Sequence, residues 1–140
     1  MSEQNKAIIR EMVELAFNQR DVAALDRYVA EDFVELDPVP GQGPGREGFK
    51  QVLTDLLGAF PDLRWTTEEQ IAEGDTVVSR FQWSGTHAGD FAGIPATGKH
   101  VTVKGVVIDR VVDGLMVASR ILMDDLGMLR QLGVISTGPS

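Results

Sequence analysis

The chain has 140 residues, with 13 Lys or Arg and 21 Asp or Glu, so its formal charge at pH 7 is −8. This length fits one domain with one core, and the acidic balance disfavours nucleic acid and anionic membranes as partners. The chain has no cysteine and two histidines, which excludes disulfides and thiolate metal sites and leaves carboxylates as the main chemical groups.

The start of the chain, MSEQNKAIIREMVE, is polar and lacks the apolar run of a signal peptide. No stretch approaches the roughly 18 apolar residues of a membrane span. We therefore expect a cytoplasmic protein that needs no metal or cofactor and has no membrane partner. The sequence further predicts a single domain over residues 1–135 and a flexible tail at residues 136–140.

Three helices are predicted in the first sixty residues. Apolar residues recur at spacings of three and four over Glu3–Asn18, which is the pattern of an amphipathic helix. Asp21 stands where an N-cap belongs, and a short second helix is predicted over Val22–Val29. After a loop that is rich in glycine and proline, the helical spacing returns over Arg46–Phe60.

Five strands are predicted, the first being the short alternating segment Asp32–Asp37. The second half of the chain is rich in Val, Ile, Thr and Trp, which favours strands. The four strands predicted there are Leu63–Ala72, Thr76–Thr86, Val101–Val112 and Leu115–Met123. The dipeptides Gly74-Asp75 and Asp113-Gly114 separate two pairs of these strands, and the second is a strong hairpin signal.

Two further segments follow from the pattern. Residues 85–99 are rich in glycine and are predicted to form an ordered lid or rim loop, and a last helix over 126–132 is ended by Gly133. Helices followed by a meander of strands predict an α+β domain, in which three N-terminal helices pack on one face of a strongly bent, mainly antiparallel sheet. The other face of the sheet needs cover, and we expect a homodimer through it.

Several segments together resemble a known family. The run GTHAGDFAGIPATGK at 85–99 precedes a strand that ends in Asp109-Arg110-Val111, and DDLGMLRQLG follows at 124–133. These segments resemble the SnoaL-like polyketide and ester cyclases of the nuclear-transport-factor-2-like superfamily, and the likeness covers nearly the whole chain. The resemblance implies a cone-shaped, cystatin-like domain with a deep apolar pocket for a small-molecule substrate.

The resemblance also implies a catalytic aspartate. In the cyclases an aspartate removes a proton next to an ester or ketone so that an aldol closure follows, and the matching residue is Asp124. Alternation along the last strand puts Arg120 on the face of Asp124, and hairpin pairing puts Asp109 on the same side. We therefore expect Asp124 to act as base, Arg120 to hold the oxyanion and Asp109 to contact substrate. Capping of the last helix is the structural alternative for Asp124. Family members tend to carry an apolar or aromatic residue where Asp109 stands.

Four more residues complete the predicted site. His87 could assist the oxyanion as an acid or hydrogen-bond partner, although a lone histidine there is also common in turns. Asp37 is similar in context to the general base of ketosteroid isomerases, with a turn at Pro38 as the alternative. Arg80 and Gln82 resemble the Arg-x-Asp of limonene-type epoxide hydrolases and are expected to contact substrate. An ion pair between strands is the alternative for Arg80.

Three functions remain open on these residues. The first is cofactor-independent acid/base catalysis in an enclosed pocket, by proton abstraction next to a carbonyl and aldol-type cyclisation or isomerisation. The second is non-catalytic binding of a small molecule by the same fold. The third is the chemistry of an epoxide hydrolase or a dehydratase, which is a lyase, with water held by Asp124, Gln82 and Arg80.

Overall fold

The computed structural model describes residues 2–135, so the tail predicted at 136–140 lies outside the described residues. The helices are α1 (Ser2–Met12), α2 (Leu25–Tyr28), α3 (Gly45–Ala59) and α4 (Asp125–Leu132). The strands are β1 (Val29–Glu35), β2 (Arg64–Glu73), β3 (Thr76–Thr86), β4 (His100–Val112) and β5 (Leu115–Met123). Within residues 2–135, no helix has the length and apolar character needed to cross a membrane.

The five strands form one sheet in the order β1-β5-β4-β3-β2. Strand β1 runs parallel to β5, whereas the other neighbours are antiparallel, so the predicted mainly antiparallel sheet is confirmed. Both predicted hairpin turns are present. Asp113 and Gly114 have φ angles of 52° and 80°, which is the conformation that a two-residue hairpin of this type requires.

The first helix has the predicted extent but changes its winding. After Met12 it continues as a π-helical turn over Val13–Asn18. This wider turn buries Val13, Ala16 and Phe17 together. Phe17 then packs against Trp65, with ring centroids 4.8 Å apart, so the turn anchors the helix to the sheet.

The second predicted helix is shorter than expected because its last residues belong to the sheet. A 3-10 turn over Val22–Ala24 leads into α2, and β1 already begins at Val29. Val29 is fully buried and pairs with Met116 of β5, so burial in the sheet outweighs the local helical pattern. The side chain of Asp21 makes no capping hydrogen bond.

A β-bulge in the last hairpin decides which residues of β5 face the helices. Val111 pairs with Met116, but Arg110 pairs with Ala118, so Val117 is an extra residue on β5. Because side chains alternate along a strand, one extra residue inverts the faces of everything beyond it. Ser119 therefore points inward with Asp109, and Arg120 points outward.

The outer face of the sheet carries apolar side chains. Its exposed apolar residues include Ile71 at 65%, Val106 at 40%, Ile108 at 41% and Leu122 at 67%. The strand register puts Val106 beside Leu122 and Ile108 beside Arg120. A second copy of the chain could cover this patch, so the homodimer stays a prediction.

Replacing Leu122 with Lys tests the homodimer. If two copies pack through the outer face, a charge at its most exposed apolar residue would be buried without a partner. In sedimentation equilibrium we expect the wild type to have twice the mass of one chain and the variant to have the mass of one chain. Leu126→Lys, at an apolar residue of α4 with 53% exposure, should leave the dimer intact. Equal masses for wild type and Leu122→Lys would contradict the interface.

Candidate functional site

A cavity lies between the helices and the inner face of the sheet. Its empty volume, counted together with the solvent at its open mouth, is about 860 Å³. The walls are mainly aliphatic and aromatic. The polar residues among them are Glu35, Asp37, Gln42, Thr67, Ser79, Asp109 and Ser119. Glu35, Asp37 and Asp109 are the charged residues of the described lining.

Asp109 is the buried carboxyl of this cavity. It lies on the inner face of β4 and is 2% exposed. Its Oδ1 atom is buried and has no hydrogen-bond partner within residues 2–135. Burial raises the pKa of Asp109 to about 7, and the charge of Glu35 acts in the same direction, while the Ser119 hydroxyl opposes the shift. The carboxyl can therefore exchange a proton near neutral pH.

Glu35 is the second carboxyl, at the end of β1. In the sheet register Ser119 is the neighbour of both Glu35 and Asp109, so the three residues form one row across β1, β5 and β4. Burial raises the pKa of Glu35, and a backbone hydrogen bond from Asp37 opposes this. In that bond the Asp37 N–H donates to Glu35 Oε2 at 3.0 Å.

Asp37 lies at the mouth of the cavity, as the pocket alternative predicts. Its Oδ2 atom is 3.5 Å from Nε of Arg120, and both side chains are about half exposed. Exposed ion pairs of this kind contribute little to stability. Arg120 thus reaches the mouth from the outer face and does not line the cavity. Its expected position inside the pocket is wrong, because the bulge at Val117 turns it outward.

The side chain of Asp124 caps the last helix, which was the structural alternative for this residue. Its Oδ1 atom accepts a hydrogen bond from the backbone N–H of Gly127 at 2.9 Å, which makes it the N-cap of α4. Gly127 leaves the space for this cap, since a Cβ there would lie 2.2 Å from Asp124 Oδ2. Asp124 is exposed and does not line the cavity. Asp124 thus lies outside the cavity, and its expected role as the base stays a prediction.

Arg80 and Gln82 also lie outside the cavity. The inner side chains of β3 are Val77, Ser79, Phe81 and Trp83, which are buried, so the intervening residues face outward. Arg80 Nε donates to Glu69 Oε1 at 2.8 Å on this outer face. Their expected contact with substrate stays a prediction that the described cavity does not support. The same holds for the water site of an epoxide hydrolase, which needs both residues and Asp124.

His87 is the first residue of the loop 87–99; it is fully buried and does not line the cavity. Its Nδ1 accepts the backbone N–H of Thr97 at 3.2 Å, and its ring stacks on Phe60 with centroids 5.4 Å apart. The loop is fixed by backbone bonds from Ala88 and Gly89 to the carbonyl of Ala59. The expected lid is thus a packed loop away from the cavity. The mouth is bordered instead by the segment 37–42.

Sequence reasoning missed Glu35 and Ser119. Glu35 had a usable signal, because it alternates with Phe33 and Asp37 along the first predicted strand and so shares their face. Ser119 had no such signal. Its inward direction depends on the bulge at Val117, which neither composition nor spacing reveals.

The lining suits proton transfer between carboxyls and an apolar ligand. Two carboxyls with raised pKa values share one largely apolar wall, where charged forms are poorly solvated. Over residues 2–135, no three His, Cys, Asp or Glu side chains gather closely enough to hold a metal ion. The prediction that the protein needs no cofactor stays a prediction.

Asp109 should destabilise the fold as its carboxyl ionises. A raised pKa means that the unfolded chain ionises at lower pH than the folded one, so the penalty is absent below about 3.8 and complete above about 7. We expect Asp109→Asn to increase the free energy of unfolding by about 2–4 kcal/mol at pH 8 and by little at pH 3.5. Urea unfolding of both proteins at the two pH values measures this. A difference that does not depend on pH would contradict the buried carboxyl.

Comparison with known proteins identifies the family of the chain. A family described as SnoaL-like polyketide cyclase matches residues 7–132. The chain is 33% identical over 132 residues to aklanonic acid methyl ester cyclase DauD of Streptomyces sp. strain C5, covering 90% of this chain and 80% of that protein. It is 30% identical over 122 residues to nogalonic acid methyl ester cyclase of Streptomyces nogalater, covering 84% and 90%.

A solved structure extends the likeness to the fold. TsrD from Streptomyces laurentii superposes with a TM-score of 0.87 at 29% identity, covering 95% of this chain and 97% of that one. The fold predicted from the sequence, a nuclear-transport-factor-2-like α+β domain, is thereby confirmed. The match of the family to residues 7–132, together with these relatives, shows that the chain belongs to the SnoaL-like polyketide cyclase family.

Proposed function

We propose that the protein is a cofactor-independent acid/base enzyme that closes a ring by intramolecular aldol addition, with Asp109 as a proton-transfer group. The observation that carries this proposal is one carboxyl, 2% exposed, which lines an apolar cavity and has a buried oxygen without a partner in the described chain. Asp109 is part of the cavity lining, so a bound ligand would lie next to its carboxyl group. Its pKa of about 7 suits exchange of a proton near neutral pH.

The relatives indicate the type of substrate. Two of them are named as cyclases of aklanonic acid methyl ester and nogalonic acid methyl ester. Both names describe esters, which are uncharged at the carboxyl group. The charged groups in the described lining are all acids, so a free carboxylate would be repelled and an ester would not. We therefore propose a neutral ester or ketone as the substrate.

Burial of Asp109 also argues against a purely structural carboxyl. A structural acid in a core is normally paired with a cation or fully hydrogen-bonded. Arg120, which reaches the cavity mouth, pairs instead with Asp37. A strongly perturbed carboxyl in a pocket is a common property of catalytic groups. Non-catalytic binding by the same pocket is the competing function.

Turnover of the two methyl esters separates these functions. We expect wild-type protein to convert aklanonic acid methyl ester or nogalonic acid methyl ester to a ring-closed product, followed by chromatography and mass spectrometry. Asp109→Asn should lower the rate by 10²–10⁴-fold, because loss of a proton-transfer group has effects of that size.

Asp124→Asn is the matched comparison. Asparagine also caps helices, so this variant should keep both the fold and the rate. A large loss of the ring-closure rate in Asp124→Asn, with no loss in Asp109→Asn, would assign the proton transfer to Asp124 and reject the proposal. Binding of either ester with no ring closure would favour the non-catalytic function.

A further inference from the structure

The row of Glu35, Ser119 and Asp109 is the feature from which we infer a second proton-transfer residue. The two outer residues are each one strand away from Ser119. Neighbouring strands lie about 4.8 Å apart, so the backbones of Glu35 and Asp109 are separated by about 10 Å. All three side chains line the cavity. Serine is small, so a ligand can lie over it and meet a carboxyl on each side.

The two carboxyls differ in their hydrogen bonds. Glu35 Oε2 accepts the Asp37 N–H at 3.0 Å, and donors of this kind stabilise the ionised form. Asp109 Oδ1 is buried with no donor in the described part of the chain, and this favours the protonated form. The charge of Glu35 acts on Asp109 in the same sense. The surroundings therefore favour Glu35 on β1 as the base and Asp109 on β4 as the acid.

We propose that Glu35 and Asp109 act as a pair on one substrate, Glu35 taking a proton from the carbon next to a carbonyl and Asp109 giving a proton to that carbonyl oxygen. Ser119, between them, is a positioning residue that keeps the gap open. Asp37 is the remaining charged group of the described lining, and Arg120 holds it at the mouth. This inference rests on the proposed function, because it assigns roles within the same reaction.

The steps balance without any co-reactant. In the first step the substrate C–H bond breaks and a Glu35 O–H bond forms, while the Asp109 O–H bond breaks and an enol O–H bond forms. In the second step the enol carbon attacks a second carbonyl carbon and forms the ring C–C bond. The enol proton returns to Asp109, and Glu35 protonates the new alkoxide. The product is an isomer of the substrate, and both carboxyls regain their starting state.

The first test needs no activity. Carbon-13 NMR of labelled aspartate follows the titration of the Asp109 carboxyl in wild type, in Glu35→Gln and in a control, Glu31→Gln. Glu31 is an exposed residue of the same strand. We expect the Asp109 midpoint, about 7 in wild type, to move to lower pH in Glu35→Gln, because a nearby negative charge is removed. An unchanged midpoint in Glu35→Gln would overturn the pairing.

The second test is the pH dependence of ring closure of aklanonic acid methyl ester. With ionised Glu35 and protonated Asp109 required, kcat/KM should fall as pH rises above about 7. If Asp109 alone were the base, kcat/KM would instead rise through that range. Glu35→Gln should lose at least about 100-fold, whereas Glu31→Gln should match wild type.

The outcomes distinguish the two proposals. If Asp109→Asn is inactive and Glu35→Gln is as active as wild type, the proposed function stands and the pair is wrong. If neither substitution changes the rate of ring closure, the proposed function itself fails. Circular dichroism of each variant confirms that the comparison is between folded proteins.

Discussion

The extra residue at Val117 controls the chemistry of the cavity wall. Without this bulge, Arg120 would face inward opposite Val107 and lie diagonally next to Asp109. An adjacent guanidinium would lower the pKa of that carboxyl and lock it in an ion pair. With the bulge, the neighbour of Asp109 is the hydroxyl of Ser119, and Arg120 pairs with Asp37 at the mouth instead. One inserted residue thus leaves the buried acid without a cation.

A site of this kind works against the stability of the fold. The cavity leaves space between α1, α3 and the sheet that side chains do not fill, and it holds acids that burial disfavours when they ionise. The aromatic packing beside it compensates. Trp65 stacks on Phe81 with centroids 4.2 Å apart, and Phe17 packs on the other side of Trp65. Phe17 and Trp65 are part of the cavity lining, and well-packed surroundings of this kind favour a preorganised site.

Membership of the family does not by itself assign the catalytic residue in this fold. The resemblance to the cyclases points to Asp124, yet that side chain caps α4. The buried acid of this chain is on β4, at a position where the resemblance leads one to expect an apolar or aromatic residue. Several strands and helices line the cavity, so carboxyls from different strands can reach it. Scaffold and chemistry can therefore diverge within one family.

Local pattern was enough to predict the helices, the five strands, both hairpin turns and the α+β architecture, because periodicity and turn residues act over a few neighbours. Alternation along the first strand also carried the information that Asp37 and Glu35 share a face. Alternation failed to predict the inward residues of β5 beyond Val117, because a bulge that depends on pairing with β4 inverts the faces of that strand. The cap at Asp124 depends on Gly127, three residues away, and local pattern offered it as one of two alternatives. The outward turn of Arg120 and the position of Ser119 beside Asp109 were decided only by tertiary structure, since each depends on the pairing between β4 and β5.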